Sequence, residues 1–163
     1  MTSSFDAFVG AIDHPMVVVT AAHGSERSGC LVGFATQVSI DPPRYLACIS
    51  KVNHTFPVAL AAAALTVHAV PAGRLDLAQL FGGETGDEVD KLAHCAWSEG
   101  PDGTVLLDDC PLRFRGRVHD RVDLGDHVGF VLDPLPDDAD EPEGFAAVVT
   151  FADVEHLKPG HPA

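Results

Sequence analysis

Six or more short segments of this sequence have the composition of β-strands, and no regular alternation with helices separates them. Residues 16–20 form a β-branched run, and the turn residues that follow predict that residues 30–40 pair back on it as a hairpin. A doubly wound parallel sheet needs a helix between successive strands, so this order disfavours it. We predict a mainly β fold with short helices, a closed antiparallel six-stranded β-barrel, because closure leaves no exposed edge strand. The other predicted strands are residues 45–50, 65–70, 111–122, 127–135 and 145–151.

The length and the helical patterns predict a single domain over residues 1–163. A chain of this size buries one continuous core, and it contains no interior linker. The core should span about residues 15–135, after an N-terminal helix within residues 1–14 and before a C-terminal strand and tail in residues 136–163. Further short helices are predicted at residues 53–64, 75–81 and 87–93, and an acidic loop at residues 137–143.

Charge and hydropathy argue against several classes of partner. A formal net charge of −14 repels nucleic acid and anionic lipid. The longest apolar runs are far shorter than the ~20 residues that cross a bilayer, and the N-terminus lacks the basic and apolar segments of a secretory signal. We therefore expect a cytoplasmic protein that binds neither nucleic acid nor membranes. The four cysteines form no CxxC pair, so we expect buried thiols and no metal site.

The segment of residues 28–43 has features of a ligand-binding strand. The small residues Gly33 and Ala35 would let a flat ligand approach the strand backbone closely. Thr36 and its neighbour Gln37 are the polar side chains that could serve the edge of such a ligand. An ordinary core strand is the alternative interpretation of residues 29–34.

A second segment, residues 50–55, places polar groups before a predicted helix. Ser50, Lys51, Asn53 and Thr55 supply two hydroxyls, an ammonium and an amide, and the start of a helix favours an anion. Lys51 is the only lysine in the first 90 residues of a chain that otherwise repels phosphate. For Asn53 and Thr55 taken alone, helix capping is the better explanation.

Together these segments resemble the flavin-reductase-like family, which has an FMN-binding split barrel. The resemblance covers about residues 15–134, and the ordered set of motifs is more specific than any one of them. It departs at residues 31–34, where many members have hydroxyl side chains near the isoalloxazine, and at residues 151–161, which lack the usual aromatic ending. The matching positions are Gly29, residues 38–43, residues 50–55, residues 77–81 and residues 125–127.

The resemblance implies a site and a reaction. The cofactor would be FMN, with FAD as the alternative, and NAD(P)H would be the co-substrate in an NAD(P)H-dependent flavin reductase. A homodimer is implied, and so is a monooxygenase partner that receives reduced flavin. His127 would be the catalytic residue, in the pocket where the nicotinamide stacks. The implied flavin-binding residues are Leu31, Val32, Gly33, Phe34, Ala35 and Thr36 along the ring, Ser50, Lys51, Asn53 and Thr55 at the ribityl chain and phosphate, and Phe81 beside the ring or ribityl chain.

Several alternatives stay open at this point. The same barrel could carry a non-catalytic flavin or haem binding protein, or a deazaflavin-dependent or pyridoxine-oxidising enzyme. His127 could be a capping histidine that is hydrogen-bonded to Asp126. The alternating residues Arg113, Arg115 and Arg117 predict one solvated strand face, with a docking row for the phosphates of the donor as the second interpretation.

Overall fold

A computed structural model describes residues 3–136 and 147–160. Seven antiparallel strands form one sheet in the order β2-β1-β5-β8-β9-β4-β3, and β6 pairs with β7 in a separate hairpin. Both strands of that hairpin are absent from the sequence-based prediction. The strands are β1 (Val17–His23), β2 (Glu26–Val32), β3 (Ala35–Ile40), β4 (Pro43–Ser50), β5 (Ala64–Ala69), β6 (Trp97–Glu99), β7 (Val105–Leu107), β8 (Arg113–Asp123) and β9 (His127–Pro134).

Four α-helices accompany the sheet, and in the described residues none is long and apolar enough to cross a membrane. The first begins with a capping box between Ser3 and Asp6, and none of its residues is buried. Three short 3-10 turns lie at Ala72–Arg74, Lys91–His94 and Pro101–Gly103. The helices are α1 (Ser4–Gly10), α2 (Thr55–Ala61), α3 (Leu75–Gly83) and α4 (Phe151–Val154).

Strand β1 lies between two apolar cores, which explains its unbroken β-branched run. Val17 and Val19 belong to the core inside the coiled sheet, where α2 also packs. Val18 faces the opposite side, where α3, β7 and α4 contribute a second core that includes Phe81. A strand that is buried on both faces loses the apolar–polar alternation of a half-exposed one.

The predicted closed six-stranded barrel is not confirmed. The sheet coils until Val32 of β2 and Ala47 of β4 share the inner core, but in the described residues no ladder joins β2 to β3 or β4. The predicted strand at residues 30–40 is in fact two strands. It breaks at Gly33 and Phe34, because its first half pairs with β1 and its second half pairs with β4.

Three further sequence-based predictions are wrong in the described residues. No α-helix forms at residues 87–93, where a turn is followed by the 3-10 turn Lys91–His94. In the C-terminal segment predicted as a strand, residues 147–150 form only isolated bridges, and a capping box between Thr150 and Asp153 then starts α4. Residues 145 and 146 lie outside the described residues, as does the predicted acidic loop at 137–143. The solvated arginine face is also wrong, because Arg115 is buried and Arg113 donates to the carbonyl of Leu107 over 2.7 Å.

Candidate functional site

A cavity of about 660 Å³ lies where the sheet fails to close. We call this opening, between residues 30–32 of β2 and residues 48–50 of β4, the seam. Phe34, Asn53, Phe81 and His127 also line the cavity, together with residues of α1 and α4. Its volume is in the range of sites for small organic ligands.

The seam leaves backbone hydrogen-bonding groups available. In an antiparallel strand, alternate amides and carbonyls point to opposite sides, and β2 has β1 on one side only. On the β4 side of the opening, the amide of Cys48 donates to the carbonyl of Phe34 over 2.9 Å. This hydrogen bond lies at the end of the pairing between β3 and β4. The free side of β2 can therefore serve a planar ligand that carries donors and acceptors along one edge.

Gly29 of β2 and Gly33, which follows β2, lie against the protein's own side chains. A Cβ at Gly33 would lie 3.2 Å from both Nε2 of His14 and Sδ of Met16. A Cβ at Gly29 would lie 2.9 Å from the ring of Phe81. The space beside Gly33 that the sequence suggested for a ligand is therefore occupied by His14 and Met16.

Some residues of the polar turn after β4 line the cavity, and another is buried in the core. Ser50 and Asn53 line the cavity, and the side-chain oxygen of Asn53 also accepts from the amide of Thr55 over 2.9 Å. Thr55 is fully buried and shares a hydrogen bond of 2.7 Å with the hydroxyl of Ser28. Thr55 therefore ties α2 to β2, whereas the N-cap of the helix is His54, which makes no side-chain capping bond.

Lys51 does not line the cavity. Its Nζ atom lies 3.0 Å from both carboxylate oxygens of Asp123, in the turn that joins β8 to β9. The backbone amide of Lys51 donates to the carbonyl of Asp126 in the same turn over 2.9 Å. The polar turn and the β8–β9 turn are thus held together by backbone and side chain.

His127 lines the cavity and is also hydrogen-bonded to its neighbour Asp126. Its Nδ1 atom lies 2.8 Å from a carboxylate oxygen of Asp126, and the histidine also lines the cavity. This hydrogen bond lowers the pKa of the Asp126 carboxyl. The ring centroid of Phe34 lies 5.2 Å from that of His127, so the two rings form a tilted pair at the cavity.

The sequence did not single out the side chains that α1, α4 and their neighbours contribute. His14 lines the cavity and stacks on Phe151, with ring centroids 5.2 Å apart. Three carboxylates, those of Asp6, Glu84 and Glu155, line it as well. They come from segments that are distant in sequence, and no local pattern in the chain signals that these segments meet.

Eight of the twelve sequence-predicted site residues line this cavity and four do not. Ala35 packs against the inner core, Thr36 is exposed on β3, and Lys51 and Thr55 have the contacts given above. The eight that line it are Leu31, Val32, Gly33, Phe34, Ser50, Asn53, Phe81 and His127.

Comparison with known protein families places the cavity inside one conserved domain type. The model of the flavin reductase like domain matches residues 9–136. This span includes all nine strands and every cavity residue named above, except those in the first turns of α1 and those after β9.

Individual relatives agree with that match. FMN reductase (NADH) RutF 2 of Rhizobium rhizogenes is 30% identical over 131 residues, which are 78% of this chain and 74% of that protein. Stachydrine N-demethylase reductase subunit Stc3 of Rhizobium meliloti is 29% identical over 126 residues, 75% of this chain and 52% of that protein. The structure of the NADH:FAD oxidoreductase SgcE6 of Streptomyces globisporus superposes with a TM-score of 0.72 and 25% identity, covering 79% of this chain and 77% of that one. The chain spans about half the length of several of the curated relatives it matches.

Proposed function

Since this chain belongs to the flavin-reductase-like family, we propose that it is an NAD(P)H-dependent flavin reductase that binds FMN, or alternatively FAD, in the seam. The observation that carries the proposal is the cavity of about 660 Å³ between the free side of β2 and the polar turn after β4. A family match and a cavity with suitable chemistry are independent arguments for one site.

The apolar part of the cavity fits a flat aromatic ring. Leu31, Val32, Ile49 and Phe81 supply apolar walls. The free backbone edge of β2 supplies alternating donors and acceptors, which is what the edge of a flavin ring requires. Ser50 and Asn53 add a hydroxyl and an amide to the cavity wall, which suit the hydroxyls of a ribityl chain.

The charged residues of the cavity fit a phosphate less well. The described lining includes the carboxylates of Asp6, Glu84 and Glu155 but no lysine or arginine. A phosphate among carboxylates is repelled unless a cation compensates for its charge. Lys51 lies between the lining residues Ser50 and Asn53 in sequence, so it is the nearest cation along the chain.

A bound flavin would supply the two-electron chemistry, accepting a hydride from the reduced nicotinamide at N5. The protein's part is to orient the reactants and to balance charge. Asp126 holds the Nδ1 edge of His127, which leaves Nε2 as the edge that can face a ligand. The imidazole can therefore form a hydrogen bond with a ligand through Nε2.

We propose a homodimer in which a second copy of the chain covers α1 and β3. Phe5 and Phe8 of α1 are 70% and 65% exposed, and Ile40 at the end of β3 is 84% exposed. Helix α1 also exposes Val9 and β3 exposes Val38, and several large apolar side chains exposed on one element are unusual on a monomer. Helix α1 buries none of its residues although Asp6, Val9 and Gly10 line the cavity, so a second subunit over α1 would also complete the cavity wall.

The electron acceptor is proposed to be a monooxygenase that receives reduced flavin. The relative Stc3 bears the name of a reductase subunit of a demethylase, which supports a partner of this class. A cytoplasmic location remains a prediction that is consistent with such a role.

Two spectroscopic measurements test the proposed reaction. The purified protein with added FMN should show the visible absorption of an oxidised, protein-bound flavin, and anaerobic NADH or NADPH should bleach it. A haem Soret band would instead favour the haem alternative. Bleaching by a reduced deazaflavin but by neither nicotinamide would favour the deazaflavin alternative, and a bound flavin that none of these donors bleaches would contradict the reductase.

A further inference from the structure

We infer that Asp123 sets the affinity of the seam for the phosphate of its cofactor, because it holds Lys51 in an ion pair that the phosphate must displace. This inference rests on the proposed function, since it assigns a role to residues around the proposed flavin site. We refer to the Lys51–Asp123 pair as the latch.

The latch is a surface ion pair with good geometry. The Nζ atom of Lys51 is 3.0 Å from Oδ1 and 3.0 Å from Oδ2 of Asp123. The two side chains are 39% and 72% exposed, so solvent screens their attraction and the pair can open at little cost.

Asp123 keeps a partner when the latch opens. The amide of Gly125 donates to Oδ1 of Asp123 over 3.0 Å. The pKa of the Asp123 carboxyl is lowered first by this amide and next by the ammonium of Lys51. The turn therefore fixes the carboxylate without the lysine, and departure of Lys51 leaves Asp123 hydrogen-bonded and exposed to water.

Only the lysine side chain has to move. The backbone at Lys51 is fixed by the hydrogen bond to the carbonyl of Asp126, and the amide of Asn53 donates to the carbonyl of Ser50 over 3.0 Å. Ser50 and Asn53 flank Lys51 and already line the cavity. A flexible four-carbon stem lets an ammonium exchange one oxygen partner for another without a change in the backbone.

The negative charge of the cavity lining makes the binding of a phosphate depend on Lys51. Three carboxylates and no lysine or arginine line the described cavity, so a phosphate arriving there has one ammonium close in sequence to bind. Asp123 and the phosphate thus compete for the same cation. A flavin without a phosphate does not enter this competition.

The test compares the dissociation constants of FMN and riboflavin, measured by quenching of flavin fluorescence at low salt. Asp123→Asn should tighten FMN binding by about two- to five-fold, the range expected from removing an exposed ion pair, and should leave riboflavin binding unchanged. In a Lys51→Ala background the same substitution should have no effect on FMN. Asp120→Asn is the matched control, because Asp120 lies on the same strand and its carboxylate accepts from the amide of Arg121 instead.

The outcomes distinguish a failure of the latch from a failure of the proposed flavin site. If FMN binds but Asp123→Asn matches Asp120→Asn, or if the gain persists without Lys51 or extends to riboflavin, the latch is wrong and the flavin site stands. If the wild-type protein binds neither FMN nor riboflavin, the proposed function is wrong and the latch with it. Thermal melting of each variant checks that all remain folded.

Discussion

The backbone amide of Leu107 donates a hydrogen bond to Nε2 of His68 over 3.1 Å, in a place where the imidazole is fully buried. Since Nε2 accepts, the proton of the neutral ring is on Nδ1, which lies 3.1 Å from the carbonyl of Val18. His68 thereby connects β5, β1 and β7 through two buried backbone groups. It is a satisfied core histidine.

The first prediction concerns the stability of the fold against pH. Burial lowers the pKa of His68 to about 3 from an ordinary value of 6.5. The unfolded chain therefore binds a proton below pH 6.5 that the folded chain rejects, so stability is full above pH 6.5 and falls as the pH drops toward 3. Between pH 7 and pH 5 this one group should lower the free energy of unfolding by about 2 kcal/mol, as measured by urea denaturation.

The control for that measurement is His68→Gln, which cannot titrate. Its free energy of unfolding should be lower at pH 7 and should change much less between pH 7 and pH 5. If wild type and variant lose stability equally over this range, the pH dependence comes from other groups and the neutral buried histidine is not its cause.

Local sequence patterns predicted the positions of most strands, but they did not predict which neighbours the side chains contact. The β-branched run placed β1 correctly, because β-propensity acts over a few residues. Whether Gly33 faces a ligand or His14 depends on how the segment before β1 packs, and His14 itself stacks on Phe151 near the other end of the chain. The same holds for Lys51, whose partner Asp123 is 72 residues away.

The residues of the candidate site likewise fall into those that the sequence predicted and those that it did not. Ser50, Asn53 and His127 lie in motifs that carried the family resemblance, and the cavity brings them together. Asp6, His14 and Glu155 come from segments without a recognisable motif, and they line the cavity from outside the sheet. The sequence therefore predicted the polar turn of the site but not the carboxylates that line the cavity.

The second prediction concerns the close contact between Gly29 and Phe81. A methyl group at position 29 would lie 2.9 Å from the ring of Phe81 and 3.1 Å from Cγ2 of Thr20, so Gly29→Ala forces the ring to shift. We expect a loss of about 1–3 kcal/mol in the free energy of unfolding, together with weaker flavin binding, because Phe81 lines the cavity. Denaturation and FMN titration measure the two effects.

Gly73→Ala is the control for this substitution, since nothing lies within 4 Å of a Cβ at that position. It should change stability by no more than about 0.5 kcal/mol. A Gly29→Ala variant as stable as Gly73→Ala would mean that the ring of Phe81 is not packed against β2.

The third prediction concerns the proposed dimer. Ile40→Glu places a charge at the exposed end of β3, where a second copy is proposed to pack, and should shift the protein toward monomers in light scattering after gel filtration. Leu60→Glu is the control, because Leu60 is a similarly apolar, exposed residue on α2. Equal masses for wild type and both variants would contradict an interface at β3.

The last prediction distinguishes a catalytic from a structural role for His127. If its imidazole balances charge during reduction, His127→Ala should slow the anaerobic bleaching of bound flavin by about 100-fold while weakening FMN binding much less. The control is His119→Ala, because His119 is also partly exposed and its Nδ1 lies 3.1 Å from the carboxylate of Asp133, but it does not line the cavity. A rapid-mixing experiment with saturating NADH separates the two effects, since the limiting rate reports the hydride transfer and the titration reports binding. Parallel losses in rate and affinity would assign His127 to holding the cavity in shape, with the tilted contact to Phe34 as the reason.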